Sequence, residues 1–88
     1  MQISKKLMDA FYAKEREVLY AADGNLEVSF AWNLCESTVN NIHHGEDPRV
    51  WIPRFISITE SRIADETDGE VIAAYREAIE LAQIALSD

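Results

Sequence analysis

Three short breaks divide this chain into four segments, and within each segment the apolar residues recur every three or four positions. The breaks contain glycine, proline or clustered acids, and they lie at residues 23–25, 45–53 and 65–69. Glycine and proline interrupt helices, whereas spacings of three and four place side chains on one helical face. The pattern therefore predicts four helices joined by short connections.

Each segment has an apolar face that predicts how its helix packs. These faces contain Leu7, Phe11, Val18 and Ala22; Val28, Trp32, Cys35, Val39 and Ile42; Ile52, Phe55, Ile56, Thr59 and Ile63; and Val71, Tyr75, Ala78, Ala82 and Ala85. The stretch 26–32 also alternates as a strand does, but its helical spacing continues for three more turns. We therefore expect an all-α fold, in which residues 1–88 form a single helical domain, an antiparallel up-down-up-down bundle of four helices.

The helix ends carry local signals. Ser4 is the expected N-cap of the first helix, and Gly45 is the expected left-handed stop of the second. Thr67 and Glu70 match a capping box for the fourth helix, in which the Thr67 hydroxyl accepts a hydrogen bond from the Glu70 amide.

The third segment contains two prolines with different expected effects. Asp47 followed by Pro48 predicts an N-cap and then proline at the first helical position. Pro53 comes one turn later, where proline removes a backbone hydrogen bond, so we expect the third helix to be kinked or to restart near Pro53.

The charge is unevenly distributed along the chain. Sixteen acids against eight Lys and Arg give a net charge of −8, and residues 23–47 contain five acids and no base. Residues 65–88 contain seven acids and one base. The first and third connections of an up-down-up-down bundle lie at the same end, so we expect six carboxylates to gather there. This acidic tip comprises Asp23, Glu27, Asp65, Glu66, Asp68 and Glu70.

Two interpretations of the acidic tip are open from the sequence. Acids in the first turn of a helix complement its dipole, by ~0.3–1 kcal/mol each, and an acidic surface keeps a small protein in solution. Alternatively, the tip binds a basic surface of a partner, such as a nuclease active site or a nucleic-acid-binding groove. We expect Tyr20 and Trp51, in or beside connections, to be exposed and to anchor such an interface.

Apolar residues outside the main faces predict a second contact surface. Leu26, Phe30 and Leu34 form a stripe nearly opposite the main face of segment two, and the wide apolar side of segment four includes Leu81 and Ile84. A surface helix needs an apolar face of only ~100°. We therefore expect these residues to contact a second copy of the chain or a partner, unless the 48–53 segment folds over the stripe.

No pattern of catalytic or metal-binding residues stands out. His43 and His44 are adjacent, so they point ~100° apart on a helix, and with Cys35, Glu46 and Asp47 they match no recognised zinc spacing. Cys35 falls on a buried face, where a thiol is inert. We expect a protein without enzymatic activity, metal or cofactor.

Lys14 is unusual because it falls on the apolar face of segment one. We expect its stem to cover the core while its ammonium group stays in water. An ion pair with another helix and a contact with a ligand phosphate are the alternatives.

The charge and the composition limit the classes of partner. A net charge of −8 opposes direct binding to nucleic acid or to an anionic membrane. No targeting segment or membrane-length apolar run is evident, and a single cysteine suits the reducing cytoplasm. We therefore expect a cytoplasmic inhibitor that covers a basic surface of a partner, as antitoxins, nuclease immunity proteins, phage anti-defence proteins and nucleic-acid mimics do. The alternatives are a homo-oligomeric scaffold or adaptor, and an oligomer that sequesters a small ligand.

Overall fold

A computed structural model describes residues 2–88, most of which belong to four α-helices. The helices are α1 (Ile3–Leu19), α2 (Leu26–Ile42), α3 (Pro48–Ala64) and α4 (Gly69–Ser87). About 80% of the chain is helical, and residues 2–88 contain no strand. The predicted all-α fold, a small helical bundle, is confirmed.

The helices pack unequally against one another. α1 packs along most of α2, while α4 packs against both α3 and α2. The connections before α2 and before α4 meet, because Asn25 Nδ2 donates a hydrogen bond to Asp68 Oδ2 at 3.2 Å. This contact joins the two connections that were expected at one end. The up-down-up-down order itself stays a prediction.

The core is built on aromatic rings from three helices and on alanines from the fourth. The ring of Phe11 lies 5.7 Å from that of Trp32 and 5.6 Å from that of Phe55, and Phe11 is fully buried. The predicted face of α4 is buried along its whole length, and Ala78 and Ala82 have no exposed surface. Small side chains at these positions let the α4 backbone approach the rings closely.

Polar side chains in the core are paired with nearby acceptors or donors. Thr59 Oγ1 donates to the carbonyl of Phe55 at 2.8 Å, and Thr38 Oγ1 donates to that of Leu34 at 2.6 Å. The Thr38 hydroxyl also accepts from Arg62 Nη1 at 2.8 Å, which links α2 to α3. Among residues 2–88, no buried side-chain nitrogen or oxygen is left without a partner, so the packing carries no desolvation penalty of that kind.

Two of the predicted caps are wrong. α1 begins after Gln2, which makes no side-chain cap, and Ser4 lies buried in the first turn. α4 is capped by Asp68 instead of Thr67, because the Asp68 carboxylate accepts the hydrogen bond of the Glu70 amide at 2.9 Å. In both places the helix begins at a different residue from the one the capping signal indicated.

The predicted start of α3 is confirmed. Asp47 Oδ1 accepts from the Arg49 amide at 2.9 Å, and Pro48 occupies the first helical position. Hydrogen bonds from Arg49 also lower the pKa of Asp47 to about 2. The helix then continues through Pro53 without restarting, and the side chain of Pro53 is exposed. A kink at Pro53 stays a prediction.

The end of α2 follows the expected pattern only in part. The helix ends at Ile42 with His43 as its C-cap, so the first left-handed residue is His44, with a φ of 38°. Gly45, which was predicted to be the stop, is the next left-handed residue, with a φ of 72°. The Gly45 amide donates to His43 Nδ1 at 3.3 Å and so closes the turn.

The predicted exposure of Trp51 is wrong. Only 1% of Trp51 is exposed, and its ring meets that of His43 edge-on at 6.4 Å. The reason is that α3 continues unbroken through Pro53, so Trp51 lies one turn before the buried Phe55 on the same side of the helix. Trp51 is therefore a core residue and presents no surface to a partner.

We expect Phe11→Ala to lower the free energy of unfolding by about 3–5 kcal/mol, because it removes a ring that contacts two other helices. Urea denaturation followed by circular dichroism measures the change. The adjacent Tyr12→Ala is the matched control, since Tyr12 is 45% exposed, and it should cost less than ~1 kcal/mol. If Phe11→Ala does not fold, the milder variant Phe11→Leu should fold and should have a lower free energy of unfolding than the wild type. Equal losses for the Phe11 and Tyr12 variants would contradict this core.

We expect Trp51 to be protected from acrylamide, a neutral quencher of tryptophan fluorescence. The Trp32→Phe variant leaves Trp51 as the only tryptophan, and its folded state should be quenched far less than its state in concentrated urea. Similar quenching in both states would show that Trp51 is exposed.

Candidate functional site

The acidic tip is assembled by the side chain of Asn25. Its Oδ1 caps α2 by accepting from the Glu27 amide at 2.9 Å, while its Nδ2 donates to Asp68 Oδ2 at 3.2 Å. Asp23 and Glu70 line one surface depression between the same two connections. The structure thus brings Asp23 and Asn25 close to Asp68 and Glu70, while the acidic tip as a whole stays a prediction.

A tight turn after α1 makes this approach feasible. The Ala21 amide donates to the Val18 carbonyl at 3.2 Å, and the Gly24 amide donates to the Ala21 carbonyl at 3.2 Å. A Cβ atom at Gly24 would collide with the Val18 carbonyl oxygen. Glycine is therefore needed at this position for the chain to fold back onto α1 and deliver Asn25 to α4.

The carboxylates of the acidic tip are not neutralised by short ion pairs. Four of them are exposed and two, Glu66 and Asp68, are half-buried. Within residues 2–88, none of the six lies within 4.0 Å of a Lys or Arg nitrogen. The ion pairs that the structure does contain are Lys5–Asp9, Lys14–Glu77, Arg49–Asp47 and Arg54–Glu46.

Three of the six acids of the acidic tip lie at helix N-termini, where helix dipoles favour acids. Glu27 is in the first turn of α2, Asp68 caps α4, and Glu70 is in the first turn of α4. The hydrogen bond from Asn25 and that from the Glu70 amide lower the pKa of Asp68. These three acids therefore have a structural role that stability alone explains.

The other three acids lie between helix ends. Asp65 is the C-cap of α3, whereas Asp23 and Glu66 each lie two residues before an N-cap, and Glu66 Oε1 accepts from the Asp68 amide at 3.4 Å. The unpaired carbonyls at a helix C-terminus carry partial negative charge, which repels nearby carboxylates. Of the six acids, Asp65 is therefore the one that a helix dipole opposes.

A groove between α1 and α4 continues from the acidic tip. Lys14 Nζ forms an ion pair with Glu77 Oε2 at 2.8 Å across it, and this bond raises the pKa of Lys14. The depression has a volume of about 320 Å³. Its apolar floor consists of Val18, Val28, Trp32, Ala73 and Ala74, and its carboxylates are Glu17, Glu70 and Glu77.

Sequence reasoning missed Glu17 and Glu77. The interhelical ion pair of Lys14 was an alternative, but helical spacing does not reveal which helix α1 faces. The only signal was the position of Lys14 on the apolar face, with Glu17 three residues later on the same side of α1.

The two aromatic residues expected at an interface lie in different places. Tyr20 is 71% exposed beside the acidic tip, and the Arg16 guanidinium lies 5.2 Å from the centre of its ring. Trp51 instead lines a depression with Gln2 and Gly45, next to the start of α1. α1 has 17 residues and spans ~25 Å, so Trp51 is far from the acidic tip.

The residues expected at an oligomer interface differ in exposure. Leu26 and Phe30 are 67% and 61% exposed. Leu34 and Leu81 are half-buried, and Leu81 packs against the core, so it offers less surface than expected. Ile84 on α4 is about half exposed. The interface itself stays a prediction.

Cys35 and the histidines form no recognisable reactive centre. Burial raises the pKa of the Cys35 thiol to about 12, so the thiol stays protonated at neutral pH. In the part of the chain that the structure describes, no three His, Cys, Asp or Glu side chains lie close enough to hold a metal ion. The acidic tip and its groove therefore remain the candidate functional site.

Comparison of the chain with protein-family models, curated proteins and solved structures gives no match. The candidate site is therefore assigned from the geometry of this chain alone. None of the helices described for residues 2–88 combines the length and the apolar character needed to cross a membrane.

We expect Asn25→Ser to raise the pKa of Asp68 toward its ordinary value of 3.8. Serine still caps α2 but lacks the amide that donates to Asp68. A carboxyl group whose pKa is lowered by folding stabilises the folded state at a pH above its ordinary pKa, and this stabilisation is lost as the pH falls. The variant has less of this stabilisation to lose, so its free energy of unfolding should fall less on acidification. Carboxyl titration by NMR measures the pKa. An unchanged Asp68 pKa in this variant would contradict the hydrogen bond.

Proposed function

We propose that the protein is a non-enzymatic binder whose acidic tip covers a basic surface of a partner protein. The partner is a nuclease or another nucleic-acid-binding protein, and covering its basic surface inhibits it. Such a role matches that of antitoxins, immunity proteins and phage anti-defence inhibitors, which act inside the cytoplasm. The acidic tip would then occupy the place of a nucleic-acid backbone.

The observation that carries this proposal is the hydrogen bond from Asn25 to Asp68, which joins two connections that contain six carboxylates. None of these carboxylates has an ion-pair partner within 4.0 Å among residues 2–88. One of them, Asp65, is the C-cap of α3, where the helix dipole opposes an acid. The charge of the acidic tip is therefore available to a basic partner.

The groove between α1 and α4 supports binding of lysine or arginine side chains. A long cationic side chain has an apolar stem and a charged end. The floor formed by Val18 and Ala74 suits the stem, while Glu17 and Glu70 suit the charged group. The groove extends the acidic tip with a surface that favours proteins over small inorganic cations.

We expect the triple variant Asp23→Asn, Asp65→Asn, Glu66→Gln to be folded, with a stability within ~1 kcal/mol of the wild type, because the dipole of α3 opposes Asp65 whereas Asp23 and Glu66 precede helix N-termini. It should nevertheless lose its partner. Immobilised wild-type and variant proteins are compared by capture from a lysate of the source organism, with mass spectrometry of the bound proteins. Partner binding should weaken by on the order of tenfold or more between low and high salt.

The matched control is the triple variant Asp9→Asn, Glu80→Gln, Asp88→Asn, which removes the same charge away from the acidic tip. It should keep the partner, since overall charge affects mainly the rate of encounter. If the tip variant and the control variant capture the partner equally well, the result would contradict the proposed site. A captured partner without a basic surface would contradict the proposed function.

A further inference from the structure

Large apolar side chains are exposed on the outer side of the α1–α2 pair. Those of α1 and the following turn are Tyr12, 45% exposed, Leu19, 45%, and Tyr20, 71%; those of α2 are Leu26, 67%, and Phe30, 61%. We refer to these five residues as the α1–α2 patch. Single exposed apolar residues are common on protein surfaces, so the question is whether these five are contiguous.

Contacts between the two helices place four members of the patch beside one junction. Ser29 Oγ donates to the Glu15 carbonyl at 3.2 Å, and Asn33 Nδ2 lies 3.5 Å from the Glu15 carboxylate, so α1 and α2 touch at this level. Tyr12 and Leu19 lie three residues before and four residues after Glu15, which puts them on the same side of α1. Leu26 and Phe30 lie three residues before Ser29 and Asn33, which puts them on the corresponding side of α2. These four residues therefore flank the contact between the two helices.

Arg16 connects the tyrosines of the patch. Its guanidinium lies 5.4 Å from the ring centre of Tyr12 and 5.2 Å from that of Tyr20, and its Nη1 donates to the Tyr12 hydroxyl at 2.7 Å. Aromatic residues and arginine are enriched in the cores of protein interfaces, whereas lysine and acids are depleted. The composition of the patch is thus typical of an interface core.

The exposed area of the patch fits a pair of identical copies. With ~200 Å² for each fully exposed large side chain, the five residues expose about 600 Å². Two copies that cover each other would bury about 1,200 Å², the lower limit for a specific interface. A largely apolar surface is also able to pair with itself about a two-fold axis, because the hydrophobic effect is not directional.

We propose that the α1–α2 patch is the interface of a homodimer. A second copy of the chain covers Leu26 and Phe30 of the first, and the first covers the same residues of the second. The chain carries a net charge of −8, so the two copies repel each other through their overall charge. The dimer is therefore concentration-dependent and is strengthened by salt, which screens that repulsion.

Sedimentation velocity of the full chain, from micromolar to millimolar concentration at low and high salt, tests the proposal. We expect the dimer fraction to rise with concentration and with salt. This salt dependence is opposite to that expected for binding of a basic partner by the acidic tip, so the two interactions are distinguishable. A monomer at every concentration and salt level would overturn the proposal.

A matched pair of variants locates the interface. Phe30→Ser should raise the dissociation constant of the dimer by at least on the order of tenfold. Val50→Ser on α3 is the control, because Val50 is 45% exposed outside the patch, and it should leave the constant unchanged. Circular dichroism checks that both variants are folded. A dimer that Phe30→Ser does not weaken, or a patch occupied only by a different protein, would overturn the proposal.

Discussion

Phe11 lies between Trp32 of α2 and Phe55 of α3, with ring centres 5.7 Å and 5.6 Å away, and none of its surface reaches solvent. Because one side chain contacts two other helices, it fixes the placement of α1, α2 and α3 together. α4 completes the core with Ala78 and Ala82, whose small side chains bring its backbone close. A larger side chain there would displace α4, and with it the acids at its start.

The acidic tip depends on this core because its carboxylates come from both connections at one end. Two unit charges 4 Å apart repel by only ~1 kcal/mol in water, and salt screens them further. Burial of a single large apolar side chain contributes ~1.5–3 kcal/mol, so the core easily holds the acids together. The hydrogen bond between Asn25 and Asp68, at 3.2 Å, then sets how closely the two connections approach.

The sequence was sufficient to predict the four helices and most of their buried faces, because helical spacing is a local property of each segment. Ala22 is the exception, since it was assigned to the face of the first helix but lies exposed beyond the end of α1. Trp51 was misplaced because Pro53 suggested a break just after it, whereas α3 continues through Pro53 and Trp51 is buried one turn before Phe55. The groove acids Glu17 and Glu77 were missed for a different reason. The periodicity of the apolar residues shows which side of a helix is buried, but it does not show which neighbouring helix packs against that side. That information exists only in the packed structure.

Asp65 caps the C-terminus of α3, where the helix dipole opposes it, so it lowers the stability of the isolated chain. A chain of this size buries only about two-thirds of its surface on folding and has little stability to lose. A neutral side chain at this position would satisfy the fold better. A carboxylate in this position is unfavourable for the isolated bundle because the helix dipole repels it. It becomes favourable once a basic surface faces it, because the carboxylate is then attracted to the positive charges of the partner. The energetic cost of Asp65 is therefore an argument for a bound state, which a purely solubilising role would not require.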